Sequence, residues 1–130
     1  MEMLIDFPGG DRVDAHFEQF NVATDQPLPG YMPQDPTPFS LFLASIGTCA
    51  GIYVLGFCKQ RGISADGIHI RQVNKANPAN GMVENIDLEI QVPPDFPTRY
   101  YDALIRSADQ CKVKKHLEHP PHFNVYTKVV

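Results

Sequence analysis

Hydrophobic and polar positions change period several times along this chain, and the changes mark its elements. The clearest stretch is Met82 to Val92, where Ile86, Leu88, Ile90 and Val92 alternate with Asn85, Asp87, Glu89 and Gln91. A period of two predicts a strand with one buried face and one wet face. Asn77-Pro78-Ala79-Asn80-Gly81 predicts a hairpin turn before it, and Ile68 to Val73 the strand on the other side of that turn. Upstream, Met3 to Phe7 and Arg12 to Phe17 read as strands joined by a turn at Pro8-Gly9-Gly10-Asp11. A third short strand is expected at Phe20 to Ala23. Phe123 to Val129 alternates again and predicts a last strand.

Between these strands the period lengthens. Prolines at 27, 29, 33 and 36 and Gly30 keep Asp25 to Pro36 a loop. Thr37 can then cap a helix, Pro38 suits its first position, and Gly62 suits the residue just past its end. This helix runs to about Arg61, with Lys59 and Arg61 in its last turn opposing the negative end of the dipole. Pro93-Pro94 ends the strand that precedes a second helix, which starts at Asp95 or Pro97. Tyr101, Leu104, Ile105 and Ala108 form its apolar stripe, and Cys111 continues that stripe. A short third helix is expected over Lys112 to Glu118, before Pro120-Pro121. Helices set among antiparallel strands give an α+β fold in a single domain, residues 1–130.

Composition narrows the function classes. Hydrophobic content of 43% suits a globular core, and a formal charge of −4 argues against nucleic acid or an anionic membrane as partner. Lys112-Val113-Lys114-Lys115 is too short a basic run to change that. The first residues lack both a basic segment and a long apolar segment, so no signal peptide is visible and a cytoplasmic protein is expected. Pro38 to Cys58 contains no charge and is long enough to span a bilayer. Its serines, threonine and glycines, and the half-buried strands around it, favour a buried central helix in a soluble protein. Such a helix is hard to cover within one small subunit, which favours a dimer.

Three cysteines at scattered positions do not make a disulfide framework. Cys49 and Cys58 fall on opposite faces of one helix, roughly 13 Å apart along its axis, and cannot bridge. Either could pair with Cys111 by spacing alone. Cys49 is favoured by Ser45, Gly47, Thr48 and Gly51, which let another element approach and supply hydroxyls. Cys58 reads as packing, beside the helix end where the dipole disfavours a thiolate. Cys111 lies at a helix start, among lysines that would lower its pKa. A Cys49–Cys111 redox couple and two inert core thiols both fit these residues.

The segment PTPFSLFLASIGTCAGIYVLGFCKQRGI resembles the cysteine-bearing helix of the OsmC-like family, which includes the organic hydroperoxide resistance proteins. ADQCKVKKHLEHPPHF resembles the family's downstream cysteine at the start of a short helix. The resemblance implies an intertwined homodimer of α+β subunits, with antiparallel sheets around a long central helix. It implies a stress-response thiol peroxidase in which Cys49 attacks a hydroperoxide and becomes a sulfenic acid. Cys111 then resolves this to a disulfide, and a dithiol reductant restores the pair. Arg12 is the one arginine in the N-terminal strands able to match the family's thiolate-stabilising arginine. No cofactor or metal is expected. Phe39 and Ser40 follow Pro38 where the peroxidase branches carry an acidic residue. That departure leaves a second reading, a small-molecule-binding or other thiol-redox relative without peroxidase activity.

Two other constellations compete. Cys111, His116, His119 and His122 have zinc-type ligands, but the spacing matches known zinc patterns poorly, and Pro120-Pro121 stiffens the segment. A Cys–His hydrolase would use His116 as base for Cys49 or Cys111, without any nucleophile-elbow or phosphate-loop motif.

Overall fold

The computed structural model describes residues 1–130. The chain divides into two compact units, Met1–Ala44 and Ser45–Val130. Three antiparallel strands, β1 (Leu4–Gly9), β2 (Arg12–Phe17) and β3 (Phe20–Thr24), form one sheet in that order. Gly9 and Gly10 take φ of 144° and 58° at the first turn, a region open to glycine and costly for other residues. The loop after β3 is tied back by Asp25, whose N–H donates to the Pro36 carbonyl at 3.1 Å. Its buried carboxylate accepts from the Tyr31 hydroxyl at 2.7 Å and from the Gln26 and Gln34 N–H groups. These bonds hold Asp25 below the usual carboxylate range, with the Tyr31 hydroxyl the largest cause and burial opposing it.

The long helix α1 covers Pro38–Gln60. Both of its ends form as the sequence predicts. Thr37 Oγ1 accepts the Ser40 N–H at 3.1 Å, satisfying one orphan donor of the first turn. At the other end Gly62 takes φ +64°, its N–H donates to the Lys59 carbonyl, and the Ile63 N–H donates to the Cys58 carbonyl. That pair of bonds is a Schellman motif.

In the second unit β4 (His69–Ala76) pairs antiparallel with β5 (Val83–Gln91). A 3-10 turn at Thr98–Tyr100 leads into α2 (Tyr101–Ala108), and α3 follows at Lys112–Glu118. Ala50, Val54, Phe57 and Cys58 of α1 pack with Phe96, Leu104 and Ala108 in the core, flanked by Ile70, Ile90 and Val92. Gly47 faces the Gln72 carboxamide and Gly51 the Ile70 side chain of β4. The opposite side of α1 is also apolar but open, with Ile52 67% and Leu55 41% exposed. By length and composition alone α1 could cross a bilayer. One of its faces instead packs on a sheet and a second helix.

One expected element is absent. Residues 119–130 form no strand, and Phe123, Val125, Tyr126 and Val129 are more than four-fifths exposed. The alternation is present, but a strand also needs a neighbour to accept its N–H and C=O groups. This chain supplies none there.

Candidate active site: two thiols at the start of a helix

Cys49 sits in the middle of α1, and Cys111 at the N-cap of α3. The fold sets Cys111 against α1 at the Ile46 carbonyl, one turn before Cys49, and each sulfur shifts the other's pKa. The α2 stripe seats Leu104 and Ala108 on the core, so the chain leaves α2 alongside the middle of α1. It turns there into α3. Cys111 is 2% exposed, its Sγ accepts the Lys114 N–H at 3.4 Å, and its thiol lies 3.9 Å from the Ile46 carbonyl. Cys49 is half-buried, and no disulfide joins the two.

The two sulfurs are electrostatically unequal. Burial pushes Cys49 up, but it is outweighed by the Val113 N–H, the Cys111 thiol, the Lys112 N–H and the Lys112 charge. Cys49 therefore lies below the ordinary thiol range. Cys111 is pushed up, first by burial and then by its proximity to Cys49, against the Lys114 N–H. This reverses the sequence expectation that the α3 start and its lysines would lower Cys111. The amides of Lys112 and Val113 at the start of α3 favour the Cys49 thiolate, while Cys111 itself is desolvated. The amides of Lys112 and Val113 were not identified from sequence, because backbone groups leave no residue signature. A cysteine at a helix N-cap was the available hint.

Beside Cys111 lies a pocket of about 240 Å³, walled by Ile46, Leu88, Ile90 and Ile105, with Lys114 and Asp109 at its edge. Lys114 pairs with Asp109 there. Such a lining suits an apolar group brought next to the thiol pair.

The remaining candidates separate clearly. Cys58 is 1% exposed in the core, and burial pushes it up despite Arg61. Arg12 belongs to the first unit, where its Nη2 lies 3.5 Å from the Asp35 carboxylate and 4.0 Å from that of Asp14. His116 directs Nδ1 to the Lys112 carbonyl at 2.8 Å. Cys111, His116, His119 and His122 do not gather into a group able to hold a metal ion.

Comparison with known proteins agrees with this geometry at the level of the fold. A search of curated proteins found no match. An osmotic-stress-induced and detoxification-response protein from Psychrobacter arcticus 273-4 superposes with a TM-score of 0.70 at 16% identity, over 87% of this chain and 85% of that one. An OsmC-like protein from Mycoplasma pneumoniae gives 0.61 at 15% identity, over 92% and 87%. Residues 31–125 match the OsmC-like protein family, a span that includes both cysteines and all of α1. With antiparallel sheets, a long central helix and a match over most of its length, this chain belongs to the OsmC-like family.

Proposed function

We propose that this protein is a thiol-dependent peroxidase-type redox protein that reduces organic hydroperoxides in a stress response. The carrying observation is the seating of Cys111 on α1 one turn from Cys49, with Cys49 held toward the thiolate and Cys111 pushed up. In this reading the Cys49 thiolate attacks the terminal oxygen of ROOH. The O–O bond breaks, Cys49 becomes a sulfenic acid, and the departing alkoxide takes a proton from solvent to leave as the alcohol. The Cys111 sulfur then attacks the Cys49 sulfur, water departs, and a disulfide forms. A dithiol reductant is oxidised as the two thiols are restored. Cys49 acts as nucleophile, because it is the sulfur held toward the thiolate form. Cys111 acts as resolver, and Arg12 is the cation assigned to the thiolate.

The same reading carries a soluble, cytoplasmic homodimer. Its support is the open apolar face of α1 at Ile52 and Leu55, and the exposed alternating segment from Phe123 to Val129. The family membership and the relative described as a detoxification-response protein support the stress-response part of the reading.

A second reading, a small-molecule-binding relative without peroxidase activity, draws on two observations. Phe39 and Ser40 follow Pro38 in place of an acid, and the Arg12 guanidinium is already engaged with Asp14 and Asp35. Intact mass and peptide mapping after mixing reduced protein with a small excess of cumene hydroperoxide separates the two. A Cys49–Cys111 disulfide formed within seconds, and lost in Cys49→Ser, is the expected result. Persistent peroxide with both thiols reduced would sink the peroxidase reading and leave the binding one.

A further inference from the structure

The turn between β4 and β5 carries Asn77-Pro78-Ala79-Asn80-Gly81, and Asn80 is the one asparagine of the chain followed by glycine. Both residues of that pair are exposed. The peptide nitrogen after an asparagine can attack the side-chain carbonyl carbon and close a succinimide ring. A side chain on the second residue obstructs that attack, and glycine has none. Asn77 precedes a proline, whose nitrogen carries no proton to lose, so the same reaction is closed to it.

The hydrogen bonds of the turn act on the two reacting groups in opposite ways. Asn80 Oδ1 accepts the Met82 N–H at 2.9 Å, which draws electron density from the Asn80 carboxamide carbon and favours charge developing on that oxygen. The Gly81 nitrogen is restrained instead, because its N–H donates to the Asn77 carbonyl at 2.7 Å. Asn77 is itself fixed on three sides. Its N–H donates to the Met82 carbonyl at 2.8 Å, its Oδ1 accepts the Ala79 N–H at 2.8 Å, and its Nδ2 donates to the Glu84 carboxylate at 2.8 Å. The bond from Gly81 to Asn77 therefore withholds the nucleophile from an electrophile that is already polarised.

We propose that Asn80 is a site of self-deamidation in the folded protein, and that the Asn77 carbonyl sets its rate by holding the Gly81 nitrogen. The Gly81 nitrogen loses its proton and bonds to the Asn80 side-chain carbon. The C–N bond of the carboxamide breaks, and ammonia leaves with that proton. Water then opens the succinimide at either carbonyl, giving aspartate or isoaspartate and one new negative charge. No oxidant or reductant takes part, so the site stands apart from the thiol reading. The test incubates the full-length protein at mildly alkaline pH, native and in urea, and follows the Asn80 peptide by chromatography and mass spectrometry. Asn80→Asp supplies the elution standard, and Asn124, exposed but followed by Val125, is the internal control. Native Asn80 is expected to convert about two- to tenfold more slowly than Asn80 in urea, the worth of one net hydrogen bond. Asn124 should stay intact in both. Asn77→Ala frees the carbonyl from its side-chain anchors and should close most of that gap, with far-UV circular dichroism establishing that it remains folded. Glu84→Ala leaves the turn residues untouched and should act in the same direction. Native conversion as fast as in urea, or wild-type rates in both variants, would overturn the control by Asn77. Native protein left unconverted when the urea sample has fully reacted would overturn the site itself.

Discussion

Cys111 lowers the pKa of Cys49 while its own sulfur accepts the Lys114 N–H at 3.4 Å. One cysteine thus serves two purposes, capping α3 and favouring the other sulfur as a thiolate. Cys111→Ala removes that influence and leaves Cys49 with the amides of Val113 and Lys112. The pH midpoint of Cys49 alkylation should move upward. The loss of one net hydrogen bond corresponds to about a two- to tenfold slower reaction at neutral pH. A pH series of iodoacetamide rates for both proteins checks this, and an unchanged midpoint would remove Cys111 from the stabilisation of Cys49.

The three thiols should separate by reactivity. Cys49 is half-buried and held low, Cys111 is 2% exposed and pushed up, and Cys58 is 1% exposed and pushed up by burial. Only the thiolate is nucleophilic, so charge state and access favour the same cysteine. Mass spectrometry of the native protein under limiting alkylating agent should find the first label on Cys49. A label on Cys58 should require denaturant. Early labelling of Cys58 would mean that the core opens around α1.

Stability should depend on the seam between α1 and α2. Leu104 is 2% exposed among Val54, Phe57 and Phe96. Leu104→Ala removes buried methyl groups and leaves a cavity, at a cost of about 2–5 kcal/mol. Thr37→Ala removes only the α1 cap and should cost about 0.5–2 kcal/mol. Urea midpoints of the two variants should rank in that order.

Acid should weaken the first unit through Asp25. Its folded pKa lies below the unfolded carboxylate value, chiefly because of the Tyr31 hydroxyl. The stabilisation is therefore complete above the unfolded value and is lost as pH falls through the folded one. Tyr31→Phe removes the largest cause, raises the folded pKa, and should shift acid unfolding to a higher pH. Circular dichroism across an acid titration reads this directly, and coincident curves for the two proteins would contradict it.

Local signals made much of this fold legible before any coordinates. Thr37-Pro38 and Gly62 bracket α1 because capping chemistry is written in single residues. The alternation from Ile86 to Val92 identifies β5 because one face is wet. The contact between Cys49 and Cys111 was not legible from periodicity, since it depends on how α2 packs and where the chain turns after it. The lower pKa of Cys49 was also hidden, because it comes from the backbone amides of Lys112 and Val113.

The segment after Pro121 gives the sharpest test of the proposed dimer. Its alternation is that of a strand, yet no ladder forms, and Val125 is 96% exposed. Isolated strands are unstable because their backbone groups and apolar faces need a neighbouring edge. A second copy of the chain would offer such an edge and would also cover Ile52 and Leu55 on the open face of α1. Deleting residues 122–130 should therefore shift the protein from dimer to monomer in sedimentation velocity. Val125→Lys should weaken the dimer in the same direction without shortening the chain, and far-UV circular dichroism would establish that both variants remain folded. A wild-type protein that sediments as a monomer at micromolar concentration would overturn the dimer outright. A dimer that survives both changes would assign the interface to α1 alone, and Ile52→Lys would then be the substitution that dissociates it.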